Sequence, residues 1–448
     1  MKKAVIRQMV LLLVVLSQQN IYSQQIIQLD NPHIYYEGLF YPNISSEKVE
    51  LNRHLSSMET NWESGMAGSW IQQWVTTQTG VRIRFKTSSP LIDLEFTKRD
   101  GAGTIGTTPN NGFSVFVNNV IIQNSSSLSF TIAHPNPGVS EIFEVSLPNL
   151  WGVDFTGMQI EDGYSVEDPG ALNQPIYVSI GNSITHGTGQ YVSSAKTYPF
   201  LLAKQKGWDL HNLAVAGAGL GWATALNTKG KKVDVISILI GFNDWKYLTT
   251  ALSEHETMYG RLIDSLRSYH PDAQVYCISP LTTTEKAYSA PYEIQDFRDM
   301  VVKVVSDRQK SDDKLCFIDG PSISDASMLA SGDVVHLSES GASKLADNLY
   351  VKTNECGSAA LSILNQTNDD VNFRSDSGGI YFTSVESGEY SVRLFNLNGQ
   401  LLERKQVRTN GSSEVNVTLD LLKTTGIFVV TIQHEKGLTT SHKIIRVN

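Results

Sequence analysis

Three textures succeed one another along the chain. From about residue 25 to 170, apolar and polar positions alternate in short runs broken by Gly, Asn, Pro and Ser. Examples are Val81-Arg82-Ile83-Arg84-Phe85, Ile92-Asp93-Leu94-Glu95-Phe96, Phe113-Ser114-Val115-Phe116-Val117 and Ile142-Phe143-Glu144-Val145-Ser146-Leu147. Alternation of period two puts successive side chains on opposite faces of a strand, so each run predicts a strand with one apolar face. Regularly spaced turn signals between such runs predict an antiparallel, jelly-roll-like β-sandwich.

From about 175 to 355 the apolar runs become continuous: Ile176–Ile180, Val235–Ile240, Val275–Ile278 and Leu315–Ile318. Between them lie stretches with helical periodicity, Pro199–Lys206, His255–Ser268 and Glu293–Val305. Strands apolar on both faces need cover on both, so the expected fold class is α/β, a parallel sheet flanked by helices. In such folds reactive groups gather at the carboxyl ends of the strands. From about 368 to 448 short alternating strands return and predict a small β-sandwich-like tail domain. Tyr390–Phe395 runs into Asn398-Gly399, a strong hairpin signal, and is followed by Leu401-Leu402 and Ile427–Ile432. The polar stretch Asn365–Asp370 reads as a linker.

The start of the chain stands apart. Lys2, Lys3 and Arg7 precede a short apolar run, Met9–Leu16, and then polar Gln18–Asn20. Residues 1–23 are therefore expected to be a secretory signal cleaved near Ser23, with a buried N-terminal strand as the alternative. The run is too short to span a bilayer, which takes about 20 residues, and no transmembrane segment is expected in the mature protein. A length of 448 residues calls for two or three domains. The net charge of −9, with no basic stripe, argues against a nucleic-acid partner. Of Cys277, Cys316 and Cys356, one pair can oxidise in an exported protein and one is left over. Cys277 and Cys316 sit in apolar runs, where structural thiols are the expectation. No Cys/His spacing suggests a metal, and no cofactor is implied.

The chemistry concentrates in the middle region. Strand Ile176–Ile180 runs into Gly181-Asn182-Ser183-Ile184-Thr185-His186-Gly187, which presents a serine at the strand's carboxyl end. Serine needs a base to become nucleophilic. Asp333-Val334-Val335-His336 offers one: a carboxylate three residues from a histidine can orient the imidazole while its other nitrogen faces the serine. Strand Val235–Ile240 ends in Gly241-Phe242-Asn243-Asp244, and Leu213-Ala214-Val215-Ala216-Gly217-Ala218-Gly219 forms a glycine-rich turn between them. The N–H of Ser183, the N–H of Gly217 and the amide of Asn243 are three candidate donors for an oxyanion. Taken singly, Ser183 also suits a helix N-cap, Asp333 and His336 a surface pair, and Gly217 and Asn243 ordinary turns.

In this order the blocks Gly-x-Ser, Gly, Gly-x-Asn-Asp and Asp-x-x-His resemble the SGNH (GDSL-like) hydrolase superfamily over about 180 residues. The resemblance implies Ser183 as nucleophile, Asp333 and His336 as its partners, and Gly217 and Asn243 as oxyanion donors beside Ser183. Asn182 stands where the family usually has Asp, a position outside the triad. A β-sandwich ahead of such a domain resembles carbohydrate esterases that remove acetyl groups from plant or algal polysaccharides. The last 80 residues, through Ser391–Gln400, Thr425–Val430 and Lys443–Val447, resemble the sorting domain of the type IX secretion system of Bacteroidetes; an accessory glycan-binding β-domain is the alternative. Trp245, Trp222 and His186 lie near these blocks and are candidates to line the substrate site, with core packing as the competing role.

These resemblances imply a secreted or cell-surface serine esterase, reached by periplasmic export, that removes O-acetyl groups from poly- or oligosaccharides. Its expected partners are an acetylated carbohydrate and, through the tail, the secretion machinery. The expected divisions are 1–23, 25–170, 175–355 and 368–448. A lipid or aryl esterase of the same superfamily, or an inactive glycan-binding surface protein, is the alternative.

Overall fold

A computed structural model describes residues 23–68, 71–99, 111–247, 251–286 and 292–365 continuously. In the tail it describes 373–375, 379–383, 387–396, 401–411, 414–420, 426–434 and 439–446. The expected signal segment before Ser23 and the Asn398-Gly399 turn lie outside the described residues; of the expected linker Asn365–Asp370, Asn365 ends helix Glu339–Asn365 and the rest lies outside them too.

The alternating region builds two antiparallel sheets. One runs in the order Asn43–Ile44, Val49–Glu50, Val153–Glu161, Leu91–Lys98, Ser129–Ala133, with Gln24–Ile26 also paired to Val153–Glu161. The other runs Tyr35–Glu37, Arg82–Thr87, Glu141–Ser146, Phe113–Val117, Val120–Ser125. Ile83 and Phe85 on one strand, Ile92 and Leu94 on another and Phe143 on a third share one buried core. The period-two pattern thus fixes which face turns inward.

The opposite face of the second sheet is not given to water. Arg82 and Arg84 point away from that core, yet both are buried. Arg82 pairs with Asp209 and Arg84 with Glu37. Asp209 belongs to the α/β region, so this ion pair ties the sandwich to the parallel sheet. Burial pushes the Asp209 carboxyl up, but His211 and the Arg82 guanidinium outweigh it and hold the group down at about 2.

The parallel sheet has the strand order Asp209–Asn212, Ile176–Gly181, Val235–Leu239, Gln274–Ile278, Leu315–Ile318. Counted along the chain this is order 2-1-3-4-5, with a reversal of winding between Ile176–Gly181 and Val235–Leu239. A crevice opens outside the carboxyl ends of strands at such a reversal, and the sequence there supplies the candidate serine and asparagine. The four apolar runs expected as strands and the three expected helices appear, the latter as Tyr198–Lys206, Leu252–Tyr269 and Ile294–Gln309. Strand Asp209–Asn212 was not expected. Only Leu210 in it is aliphatic, and it is held by its parallel pairing to Ile176–Ser179.

The described chain falls into two compact units. The first, up to Val301 with Ile318–Leu349, contains the sandwich and every residue of the candidate site. The second comprises Val302–Phe317 and Tyr350 onward. Its tail forms a four-stranded antiparallel sheet (Leu401–Asn410, Ser387–Asn396, Gly426–His434, Thr439–Arg446) and a three-stranded one (Phe373–Ser375, Gly379–Thr383, Glu414–Thr418). Ile380, Phe382, Val392, Leu394 and Val430 pack together in its core. Within this unit Cys316 is bonded to Cys356, which corrects the expectation that Cys316 is a free structural thiol. Cys277 is buried and takes no part in a disulfide, as expected. Among the described residues no helix is long and apolar enough to cross a membrane.

Candidate active site

Ser183 is the first residue of a single helical turn, Ser183–His186, that follows strand Ile176–Gly181 directly. The turn is started by Asn182, whose side-chain oxygen accepts from the N–H of Ile184 at 3.2 Å. Asn and Asp cap helices about equally well, so Asn182 serves this local purpose in place of Asp. Gly181 has to be glycine: a Cβ there would stand 2.2 Å from Thr185 Oγ1 and 2.7 Å from the Leu239 carbonyl oxygen. The close approach of strand, turn and neighbouring strand depends on its missing side chain.

The second half of the site arrives on the loop before helix Glu339–Asn365. That loop is closed by the Ala330 N–H donating to the His336 carbonyl at 2.9 Å. Asp333 Oδ1 accepts from the N–H groups of Val335 (2.8 Å) and His336 (2.9 Å), while Oδ2 lies 2.9 Å from His336 Nδ1. Partial burial pushes the Asp333 carboxyl up, but the His336 ring and these two N–H donors outweigh it and hold it well below the usual carboxylate range. An ionised Asp333 accepts the proton at Nδ1, which leaves Nε2 of neutral His336 as the acceptor. That nitrogen is 2.9 Å from Ser183 Oγ. Ser183 is largely buried, at 8% exposed.

Two further segments face the serine's end of the sheet. Gly217 has φ of +82°, a conformation that favours glycine, and its turn is pinned on several sides. Asn243, in helix Phe242–Tyr247, donates one amide hydrogen to the Ala218 carbonyl at 2.8 Å, which fixes the amide plane and leaves its second N–H for a ligand. Asp244 accepts from the Leu220 N–H at 2.8 Å. Consecutive residues of this helix thus grip the loop on both sides of Gly219. Burial pushes the Asp244 carboxyl up. Among the described residues the N–H groups of Ser183 and Gly217 make no hydrogen bond, so both remain available as donors.

The structure separates the remaining candidates. His186 does not line a pocket: it is fully buried, with Nδ1 accepting from the Ala216 N–H at 2.9 Å and Nε2 lying 2.6 Å from the Asn149 carbonyl and 3.0 Å from Thr77 Oγ1. Burial and the nearby Arg53 guanidinium push it down to about 3, so it is neutral. Trp245 also faces inward, buried against Phe242 with its indole N–H on the Tyr292 carbonyl at 3.1 Å, beyond reach of a sugar ring. Trp222 is half-buried, and the Arg261 guanidinium covers one ring face at 3.6 Å.

Residues of the N-terminal region that carry no motif also hold the site. Arg53, completely buried, donates to the carbonyls of Thr77, Asn212, Ala214 and Trp74 at 2.6–3.2 Å. With no carboxylate partner, burial pushes it down to about 9. The Gly65 carbonyl accepts from the Gly219 N–H at 3.1 Å, and Asn149 donates to the carbonyls of Gly187 and Gln190. Gln190 in turn donates to the Leu337 carbonyl, next to His336. Their sequence neighbourhoods give no signal because each acts through long-range contacts to main-chain carbonyls and amides.

Residues 179–344 match the model of the GDSL-like Lipase/Acylhydrolase family. No curated protein matches the chain in sequence. Among solved structures, the chain resembles salicylyl-acyltransferase SsfX3 from a tetracycline biosynthetic pathway. The identity is 18%, 75% of this chain and 98% of that one are covered, and the TM-score is 0.65. It also resembles a family two carbohydrate esterase from Cellvibrio japonicus, at 14% identity over 75% of this chain and 98% of that one, with a TM-score of 0.51. At such identities the likeness is one of fold. Over residues 179–344, therefore, the chain carries a GDSL-like lipase/acylhydrolase (SGNH) domain.

Proposed function

We propose that the chain is an exported serine esterase that removes O-acetyl groups from poly- or oligosaccharides. One observation carries the reading: Asp333, His336 and Ser183 form a continuous chain of contacts at 2.9 Å that ends at the serine hydroxyl. Ser183 Oγ attacks the acetyl carbonyl carbon while its proton passes to His336 Nε2. Ionised Asp333 stabilises the imidazolium. The carbonyl oxygen gains a negative charge, which the N–H groups of Ser183 and Gly217 and the Asn243 amide stabilise. Collapse breaks the bond to the sugar oxygen, which leaves with the proton from His336. Water then attacks the acetyl-serine, His336 takes its proton, and acetate departs with Ser183 restored.

Two things support an acetylated carbohydrate rather than a lipid. The Cellvibrio japonicus structure, whose likeness covers 75% of this chain, is a carbohydrate esterase. The sequence beside the four blocks also has no long apolar loop of the kind that lids a lipid slot. Export is supported by the basic-then-apolar start and by the Cys316–Cys356 bond, since disulfides persist in oxidising compartments. The tail's likeness to type IX sorting domains favours delivery to the cell surface. Acetate release from a panel of acetylated polysaccharides, run beside hydrolysis of 4-nitrophenyl esters of increasing chain length, tests the substrate class. Preference for long acyl chains and no release from any glycan would move the assignment to the lipid or aryl esterases. Removing residues 368–448 is expected to leave turnover intact and hold the protein in the periplasm; unchanged surface delivery would overturn the sorting role.

A further inference from the structure

His186 shares a helical turn with Ser183, is completely buried and never meets solvent. Its ring nevertheless has a defined chemical state. The Ala216 main-chain N–H can only donate, so His186 Nδ1 must offer a lone pair at the end of their 2.9 Å contact. The Asn149 carbonyl can only accept, so Nε2 must carry the hydrogen across 2.6 Å. Thr77 Oγ1 completes the set. Its own hydrogen goes to the Trp74 carbonyl, and its lone pair faces the same Nε2–H at 3.0 Å. The neutral Nε2–H tautomer is therefore specified by two main-chain groups and a hydroxyl. Trp74 packs edge-on against the ring, with centroids 5.9 Å apart.

The residue held by Nδ1 is the one before Gly217, and Asn149, Thr77 and Trp74 all belong to the region N-terminal to the parallel sheet. We infer that His186 is a positioning residue, which transmits the placement of the N-terminal β-region to the oxyanion loop by fixing the Ala216 N–H and so aiming that of Gly217. Arg53 anchors the same loop two residues before Ala216 through Ala214, and Gly65 anchors it three residues after Ala216 through Gly219. Between these ties, the His186 contact sets the peptide that leads into Gly217. An amide misdirected by an ångström loses most of its hold on a transition-state oxyanion while substrate binding, which does not involve that charge, is little altered. This inference rests on the proposed oxyanion role of Gly217.

Three replacements at His186 separate positioning from mere filling, all in the full chain. His186→Asn sets an amide oxygen near the position of Nδ1. His186→Gln reaches toward the Asn149 carbonyl but offers nothing to Ala216, and His186→Phe offers neither bond. The expected outcome is a kcat for 4-nitrophenyl acetate lowered roughly 30- to 100-fold in the Phe and Gln variants, with KM within about twofold, and substantially recovered in the Asn variant. Hydrogen exchange over residues 213–220 should accelerate in the Phe and Gln variants and stay near the parental rate in the Asn variant. If the Phe variant fails to fold, the Asn and Gln pair decides alone. Equal or higher kcat in the Gln variant, or folded variants with parental kcat and exchange, overturns the inference. If the protein proves not to be an esterase at all, the exchange comparison still tests whether His186 holds the loop.

Discussion

Ser183 Oγ and His336 Nε2 stand 2.9 Å apart although 153 positions of sequence separate them. The contact exists because a strand end and a helix-preceding loop meet at the same edge of the parallel sheet. Asp333 completes the line, and its role is to fix the histidine's tautomer. Asp333→Asn keeps the shape but donates where the carboxylate accepted, so kcat should fall by about 10⁴-fold with KM little changed. Steady-state kinetics on 4-nitrophenyl acetate check this, and a loss below tenfold would show that Asp333 does not set the tautomer.

Asp333 also links stability to pH. Its folded-state pKa is depressed, so its contribution is fully present above the unfolded carboxylate value of about 4 and is lost as pH falls through the folded value. The stability difference between the parent and Asp333→Asn should therefore be constant above about pH 5 and shrink below about pH 4. Urea titrations across that range measure it. A difference that grows on acidification contradicts the assignment.

In the proposed mechanism Asn243 and Gly217 stabilise charge that appears only in the transition state. Asn243→Ala removes one donor, with an expected loss of about 10²- to 10³-fold in kcat. Because the Ala218 carbonyl also loses its partner, some added mobility of the loop is expected. Gly217→Ala is disfavoured by its φ of +82° and should lower both kcat and the thermal midpoint. Unchanged kcat in a folded Asn243→Ala protein would remove this residue from the oxyanion set.

The Arg82–Asp209 pair joins the sandwich to the parallel sheet in a buried setting. Asp209→Asn removes the carboxylate paired directly with Arg82 but leaves Glu144 and Glu37 near the guanidinium, so the first unit should lose less than the roughly 3–5 kcal/mol of a fully orphaned buried charge. Replacing both residues with apolar ones of similar volume should be far milder. Since Asp209 titrates at about 2 in the fold, its contribution holds above about pH 4 and disappears toward pH 2. Denaturant midpoints of the single and double variants distinguish a pair that matters from one that does not.

The Cys316–Cys356 bond closes a separation of 40 residues within the second unit. Loop-closure entropy sets an upper estimate of about 4 kcal/mol for its stabilisation. Reduction, or Cys316→Ser, should lower the thermal midpoint while leaving ester turnover intact at room temperature. A midpoint insensitive to reductant would show that the bond does not form in the folded protein.

Much of the fold was legible because it rests on local patterns. Continuous apolar runs marked the strands of the parallel sheet, and alternation marked the sandwich. Strand Asp209–Asn212 escaped because its polar residues are buried by pairing and by ion pairs rather than by apolar packing. Ser183, Asp333 and His336, which are in contact, were legible together because strand ends and the loops beside them present side chains to one crevice. For Trp245 the core-packing role is the one found: proximity in sequence to Asn243 says nothing about which side of a short helix a residue faces. His186 likewise takes the packing alternative, which its own segment could not settle because its neighbours Thr77, Asn149 and Ala216 come from distant segments. Arg53 carried no signal at all, because a buried guanidinium serving four carbonyls has no sequence signature.

The central claim is that Ser183 carries the acyl group. Acetate released from acetylated xylan by the parent and by Ser183→Ala at matched concentration tests it most directly. The account predicts steady release by the parent and release at the buffer rate by the variant, with both proteins melting at similar temperatures. Equal release by the two would contradict it.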